Sequence, residues 1–132
     1  MAREKEARLH VRLSLPNGGS LDEADVALIE IIQKCRSILG ASKIAGLSYR
    51  KTWLMVEALN RTFETKVIDT FPGRRGSGSE VTVFGQRLVA LFRSIERRSA
   101  AGAVAALGEL TASLNRSFEA EAEGEAQEEQ QG

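Results

Sequence analysis

The chain has 132 residues, 42% of them hydrophobic and 27% charged, and its 18 basic and 18 acidic side chains cancel, as in a soluble domain with one modest core. One cysteine, Cys35, and one histidine, His10, exclude an intrachain disulfide and a closed tetrahedral zinc set. The charged opening MAREKEARLHVRL has no apolar signal core, and no apolar run approaches the roughly 18 residues of a bilayer span, so a cytosolic protein without a membrane partner is expected.

In chain order, Leu9, Val11, Leu13 and Leu15 alternate with His10, Arg12 and Ser14, the period of a half-buried strand. His10 is read as an edge-strand histidine rather than a catalytic one. Pro16-Asn17-Gly18-Gly19 is turn chemistry. Ser20 and Glu23 have capping-box spacing, and Asp22, Glu23 and Asp25 place negative charge where a helix dipole favours it. A first helix is predicted from about Leu21 to Cys35, burying either Val26, Ile29 and Ile32 or Leu28, Ile31 and Cys35; Cys35 is read as a small buried residue, not a nucleophile. Ser37 caps a second helix to about Ala45, with Gly46 at its C-cap. Leu47 is a buried link and Ser48 a fresh N-cap. The third helix spans about Tyr49 to Phe63, its face of Thr52, Val56, Leu59 and Phe63 spaced i, i+4, i+7, i+11. Two short helices about a glycine turn form a helix-turn-helix.

Lys66–Phe71 and Glu80–Val83 read as strands around Pro72–Ser79, a flexible hairpin loop carrying Arg74 and Arg75. A helix-turn-helix followed by such a hairpin is a winged-helix arrangement, to which the N-terminal strand would add a third sheet member. From about Val83 to Glu123 the pattern is helical, weakened at Gly102 and Gly108, with stripes of Leu88, Leu91, Phe92 and Ile95 and of Leu107, Leu110, Leu114 and Phe118. The second stripe has little left to bury against in its own chain, so a homodimer through these four residues is expected. The predicted fold is mainly α with a small β-sheet: a winged helix-turn-helix over 1–98, a dimerisation helix over 99–122 and an acidic disordered tail over 123–132.

Charge separates along the chain. From Lys34 to Arg98 there are thirteen Lys or Arg against five Asp or Glu, whereas Glu119–Gly132 has six Glu and no basic residue. A basic middle suits double-stranded DNA. The start of the third helix offers Ser48, Tyr49, Arg50 and Lys51, where a recognition helix meets base edges: Arg50 can pair bidentately with guanine, and Ser48 and Lys51 suit phosphates. Arg61 lies further along the same helix. Arg74 and Arg75, on a glycine loop, suit a phosphate backbone or narrow minor groove. A Walker-type phosphate loop is not the reading here, because RRGSGSEV runs into a strand and lacks the Lys-Ser/Thr ending. Trp53 is read as a wedge between the two helices, with base or ligand contact as its alternative. No enzyme activity, catalytic residue or metal is expected. The reading from another class is a protein-interaction module using the winged helix and the acidic tail.

The runs SILGASKIAGLSYRKTWLMVEALNRTF and PGRRGSGSEVTVFGQRLVALF resemble the N-terminal DNA-binding domain of the molybdate-dependent transcriptional regulators (ModE type). The Ser-Tyr-basic helix start, the Ala-Leu-Asn near its end, the glycine-rich wing and the Thr-x-x-Gly-Gln opening of the next helix carry the likeness, over about Leu9 to Arg98. Arg74, Ser77 and Ser79 stand where the family's wing has glycine. The chain is also distantly similar to LysR-type regulators. The resemblance implies a dimeric bacterial regulator, here expected to be a repressor, pairing through its long helix. Family members carry C-terminal β-barrel domains that bind molybdate. About 34 residues follow Arg98 here, so those domains are expected to be missing and no cofactor is expected; molybdate enters only through the resemblance.

Overall fold

The computed structural model describes residues 6–73 and 76–118. Its elements are β1 (Arg12–Ser14), β2 (Ser20–Asp22), α1 (Glu23–Cys35), α2 (Ile38–Ala45), α3 (Tyr49–Thr62), β3 (Ile68–Gly73), β4 (Gly76–Val81) and α4 (Val83–Ala112). The fold is mainly α with small β elements and a long C-terminal helix. The chain divides into two units: one is Leu9–Ala101, and the other includes everything from Gly102 onward.

In Leu9–Ala101 one apolar core joins α1 (Val26, Leu28, Ile29, Ile32), α2 (Ile38, Ala41), α3 (Val56, Leu59) and the wing (Ile68, Val81) to Leu21, Val67, Leu88 and Phe92. Of the two stripes offered for α1, that of Val26, Ile29 and Ile32 is buried in full and the other in part, with Leu28 buried and Ile31 and Cys35 half-buried at the margin. Cys35 spends its thiol locally, donating to the Ser37 carbonyl at 3.3 Å. The caps of the middle helices form as the sequence predicts. The Ser37 hydroxyl accepts from the Gly40 amide, the Ser48 hydroxyl from the Lys51 amide, and Gly46 closes α2 at φ 72°, a left-handed conformation that costs glycine nothing.

Four expectations are corrected. The N-terminal strand does not join the wing. The sheets are separate, β1 with β2 (Leu13 opposite Leu21) and β3 with β4 (Ile68 opposite Val81 through Gly73 opposite Gly76). Pro16–Gly19 thus makes a hairpin rather than merely ending a strand, and His10 precedes β1 instead of lying in it. Second, α1 starts at Glu23, and its capping box is Asp22 with Asp25, not Ser20 with Glu23. Ser20–Asp22 is committed to β2, so its residues cannot open a helix two positions earlier. Third, the wing strands run further into the loop than predicted: backbone pairing continues to Gly73 and Gly76, while Lys66 and Val67 precede β3. Arg74 and Arg75 lie outside the described residues. Fourth, α4 ends at Ala112 rather than near Glu123, so Leu114 and Phe118 follow it in a segment of turns. Residues 119–132, with the acidic tail, lie outside the described residues.

Within the described part of Gly102–Gly132, Leu107 is half-buried, whereas Leu110, Leu114 and Phe118 are 62%, 64% and 70% exposed. Among the described residues no helix is long and apolar enough to cross a membrane.

Candidate nucleic-acid interface

Helix α3 has two unlike sides. Thr52, Val56 and Leu59 are buried, and the Thr52 hydroxyl donates back to the Ser48 carbonyl at 2.9 Å. At about 100° per residue, the ridge diametrically opposite runs through Arg50, Leu54 and Arg61, flanked by Glu57 and Ala58. All five are exposed. Arg50 and Arg61 stand about 16 Å apart along the helix axis. Ser48, Tyr49, Arg50 and Lys51 gather at the N-terminal turn as predicted, all exposed. Lys51 lies a quarter-turn away from Arg50 and lines a groove with Arg12, Asp22, Asp25 and Met55. The Ser48 hydroxyl, although accepting from the Lys51 amide at 3.0 Å, keeps its own proton to donate. Tyr49 meets the half-buried Trp53 edge-on at 6.2 Å, and Trp53 packs against the core, which favours the wedge over the ligand contact.

The far end of α3 is tied to the wing by one side chain. The Asn60 carboxamide oxygen accepts from the amides of Val67 (2.9 Å) and Ile68 (3.0 Å), while its nitrogen donates to the Ile68 carbonyl at 2.9 Å. Thr82 makes the next joint. Its hydroxyl donates to the Lys66 carbonyl at 2.6 Å and accepts from the Gly85 amide at 2.9 Å, opening α4. A Cβ on Gly85 would run into the Val67 carbonyl oxygen, so the close approach of α4 to the start of the wing requires glycine. Asn60, Thr82 and Gly85 are residues of the motifs quoted above, and all three serve the structure. Together they set the angle between the wing and α3.

A further joint ties the wing to α1. Arg36 caps α1 in the left-handed conformation at φ 58°, its carbonyl accepts from the Ser79 amide at 3.0 Å, and its guanidinium pairs with Glu80 at 3.2 Å. The root of the wing is thereby held from both sides, and in the sequence Arg74 and Arg75 stand between its two strands.

One ionic cluster escaped the sequence reading. The Arg93 guanidinium on α4 pairs with Glu23 and with Glu30 (2.6 Å) of α1 and with its own neighbour Glu96 (2.7 Å). The three carboxylates raise its pKa further above the ordinary arginine value, and the hydrogen bond from Arg93 lowers that of Glu23. The partners on α1 are 63 and 70 residues away along the chain, so no local spacing could have signalled them. At the start of α1, burial lifts the Asp25 carboxyl from 3.8 to about 6. Among the described residues no group of three or more His, Cys, Asp or Glu could hold a metal ion.

No protein-family model matches the chain. Curated proteins do. It is 34% identical over 92 residues to the molybdenum transport protein ModE of Azotobacter vinelandii, covering 67% of this chain and 34% of that protein. It is 36% identical over 94 residues to the molybdenum-pterin-binding protein MopA of Rhodobacter capsulatus, covering 69% and 36%. Over 88 residues it is 30% identical to the DNA-binding transcriptional dual regulator ModE of Escherichia coli K12, covering 66% and 34%. The chain is thus related to ModE and molybdenum-pterin-binding proteins, and spans about a third of the length of these relatives.

Proposed function

We propose that this chain is a DNA-binding transcriptional regulator, acting as a homodimeric repressor of the molybdate-responsive type. Helix α3 reads the major groove. Arg50 pairs with guanine, Ser48, Tyr49, Lys51 and Arg61 hold the backbone, and Arg74 and Arg75 of the wing contact phosphates or the minor groove. Leu107, Leu110, Leu114 and Phe118 contribute to the contact between copies. The observation that carries this reading is the ridge of α3 opposite its buried face, where two arginines about 16 Å apart stand exposed on a helix held rigidly by its far side. With Arg50 at a base edge, Arg61 about three turns further along the same ridge is far enough away to meet the phosphates that bound a major groove about 12 Å wide. The name of the Escherichia coli relative, a DNA-binding regulator, agrees with it.

The test is a comparison of two arginines by fluorescence anisotropy on a selected duplex and an unrelated one. Arg50→Ala is expected to cost about 1–3 kcal/mol on the selected duplex and little on the other, whereas Arg61→Ala weakens both alike. Equal losses on both duplexes for Arg50→Ala would remove it from the reading face.

A further inference from the structure

From the same ridge we infer that Leu54 reads a thymine, packing its side chain against the base's C5-methyl group in the major groove. The inference rests on the DNA-binding reading and adds to it a base and a residue that determines specificity.

Leu54 lies on the side of α3 opposite its buried residues, between Arg50 and Arg61 along the axis, and remains 51% exposed. Packing within the fold does not explain it, because burial of this helix is carried by Thr52, Val56 and Leu59 on the opposite side. The rest of the ridge is charged except for Ala58, one turn further on, whose small side chain leaves space beside Leu54. An apolar pair set between two cations is therefore the pattern of the face. Arginines draw a polyanion to it, and the apolar pair between them lies where base edges, not phosphates, would be met.

The chemistry that fits this pair inside a major groove is narrow. Guanine, adenine and cytosine present only hydrogen-bonding groups there, which a leucine would strip of water without replacing their partners. Thymine alone presents a methyl group. Glu57, exposed on the same side, would accept from a cytosine amino group and repel a phosphate, which keeps the centre of the ridge on bases as well. Leu54 is one turn from Arg50, about 6 Å along the axis, so the thymine lies within about two base steps of the guanine that Arg50 reads.

The full chain is used to select duplexes from a randomised pool. Each thymine of the recovered sequence is then replaced singly by uracil, which differs only by the missing methyl. The wild type is expected to lose about fourfold in affinity at one thymine near the guanine, the worth of one buried methyl group. In Leu54→Ala that thymine and uracil are expected to bind alike; a change on this exposed position leaves the core intact. Enrichment of duplexes whose thymines can all become uracil without loss would overturn the inference while leaving DNA binding standing. A uracil penalty that survives in Leu54→Ala would overturn it too, by giving the methyl to another residue. Failure to enrich any duplex would overturn the DNA-binding reading and this inference with it.

Discussion

In α1, Val26, Leu28, Ile29 and Ile32 retain 1% or less of their surface, whereas Val104, Leu110, Leu114 and Phe118 keep 62–70% of theirs. In the sequence, Val26, Ile29 and Ile32 and likewise Leu107, Leu110, Leu114 and Phe118 recur at spacings of three and four, the pattern of one side of a helix. Periodicity says which side is apolar; it does not say what covers it. For α1 the cover comes from α2, α3 and the wing, all contributed by the same unit. For the later residues the proposed cover is a second copy of the chain, and the contrast in burial makes the two cases separable by mutation.

Ile29→Ala should bring the largest loss, about 2–5 kcal/mol, because it leaves a cavity in a fully covered core; chemical denaturation followed by circular dichroism would measure it. Leu110→Asp should leave the stability of that core within about 0.5 kcal/mol, since a side chain 62% exposed has little to lose. Its effect should instead be seen in sedimentation, as a shift from dimer towards monomer. A Leu110→Asp protein that unfolds like Ile29→Ala would place Leu110 in a core, and an unchanged sedimenting mass would remove it from the interface.

An intermediate loss is expected at the joint between α3 and the wing. Asn60→Ala leaves the Val67 and Ile68 amides without their acceptor and should cost about 1–3 kcal/mol in thermal unfolding. Asn60→Asp keeps the acceptor and should recover part of that loss, which distinguishes lost hydrogen bonds from lost packing.

Local chemistry was the most legible part of this fold. Ser37, Gly46 and Ser48 act within four residues of their own positions, so helix ends followed from short spacings. Strand partners did not. The alternation from Leu9 to Leu15 marks a strand with a half-buried side, but whether it pairs with Ser20–Asp22 or with the wing depends on where distant elements lie. The capping box was misplaced for the same reason: Ser20 has the spacing to Glu23 but is committed to β2, and Asp22 with Asp25 caps α1 instead. In the candidate site, the cationic residues of α3 could be named from charge and position in the helix. Leu54 could not, since an isolated leucine ordinarily signals core, and only its exposure in the fold reverses that reading.

A smaller effect than at Ile29 or Asn60 is expected at Asp25. Its carboxyl is held near 6 in the folded protein against 3.8 for the ordinary group, so between about pH 4 and 6 the folded state binds more protons than the unfolded chain. Its contribution is therefore present at low pH and lost as pH rises through that window. Asp25→Asn keeps an acceptor for the Asp22 amide and should flatten this part of the stability profile, with a gain of at most about 1 kcal/mol at neutral pH after solvent screening. Denaturation midpoints across pH 4–7 that run parallel in the two proteins would remove Asp25 from the pH dependence.

The claim on which the rest depends is that the exposed arginine ridge and the wing engage duplex DNA. Fluorescence anisotropy on a mixed-sequence duplex, with salt raised from about 50 to 200 mM, addresses it most directly. The expected result is binding at low salt whose logarithmic affinity falls linearly with the logarithm of salt, with a shallower slope in Arg61→Ala as one phosphate contact is lost. Absence of binding at the lowest salt would contradict the account and direct attention to a protein partner for the same face.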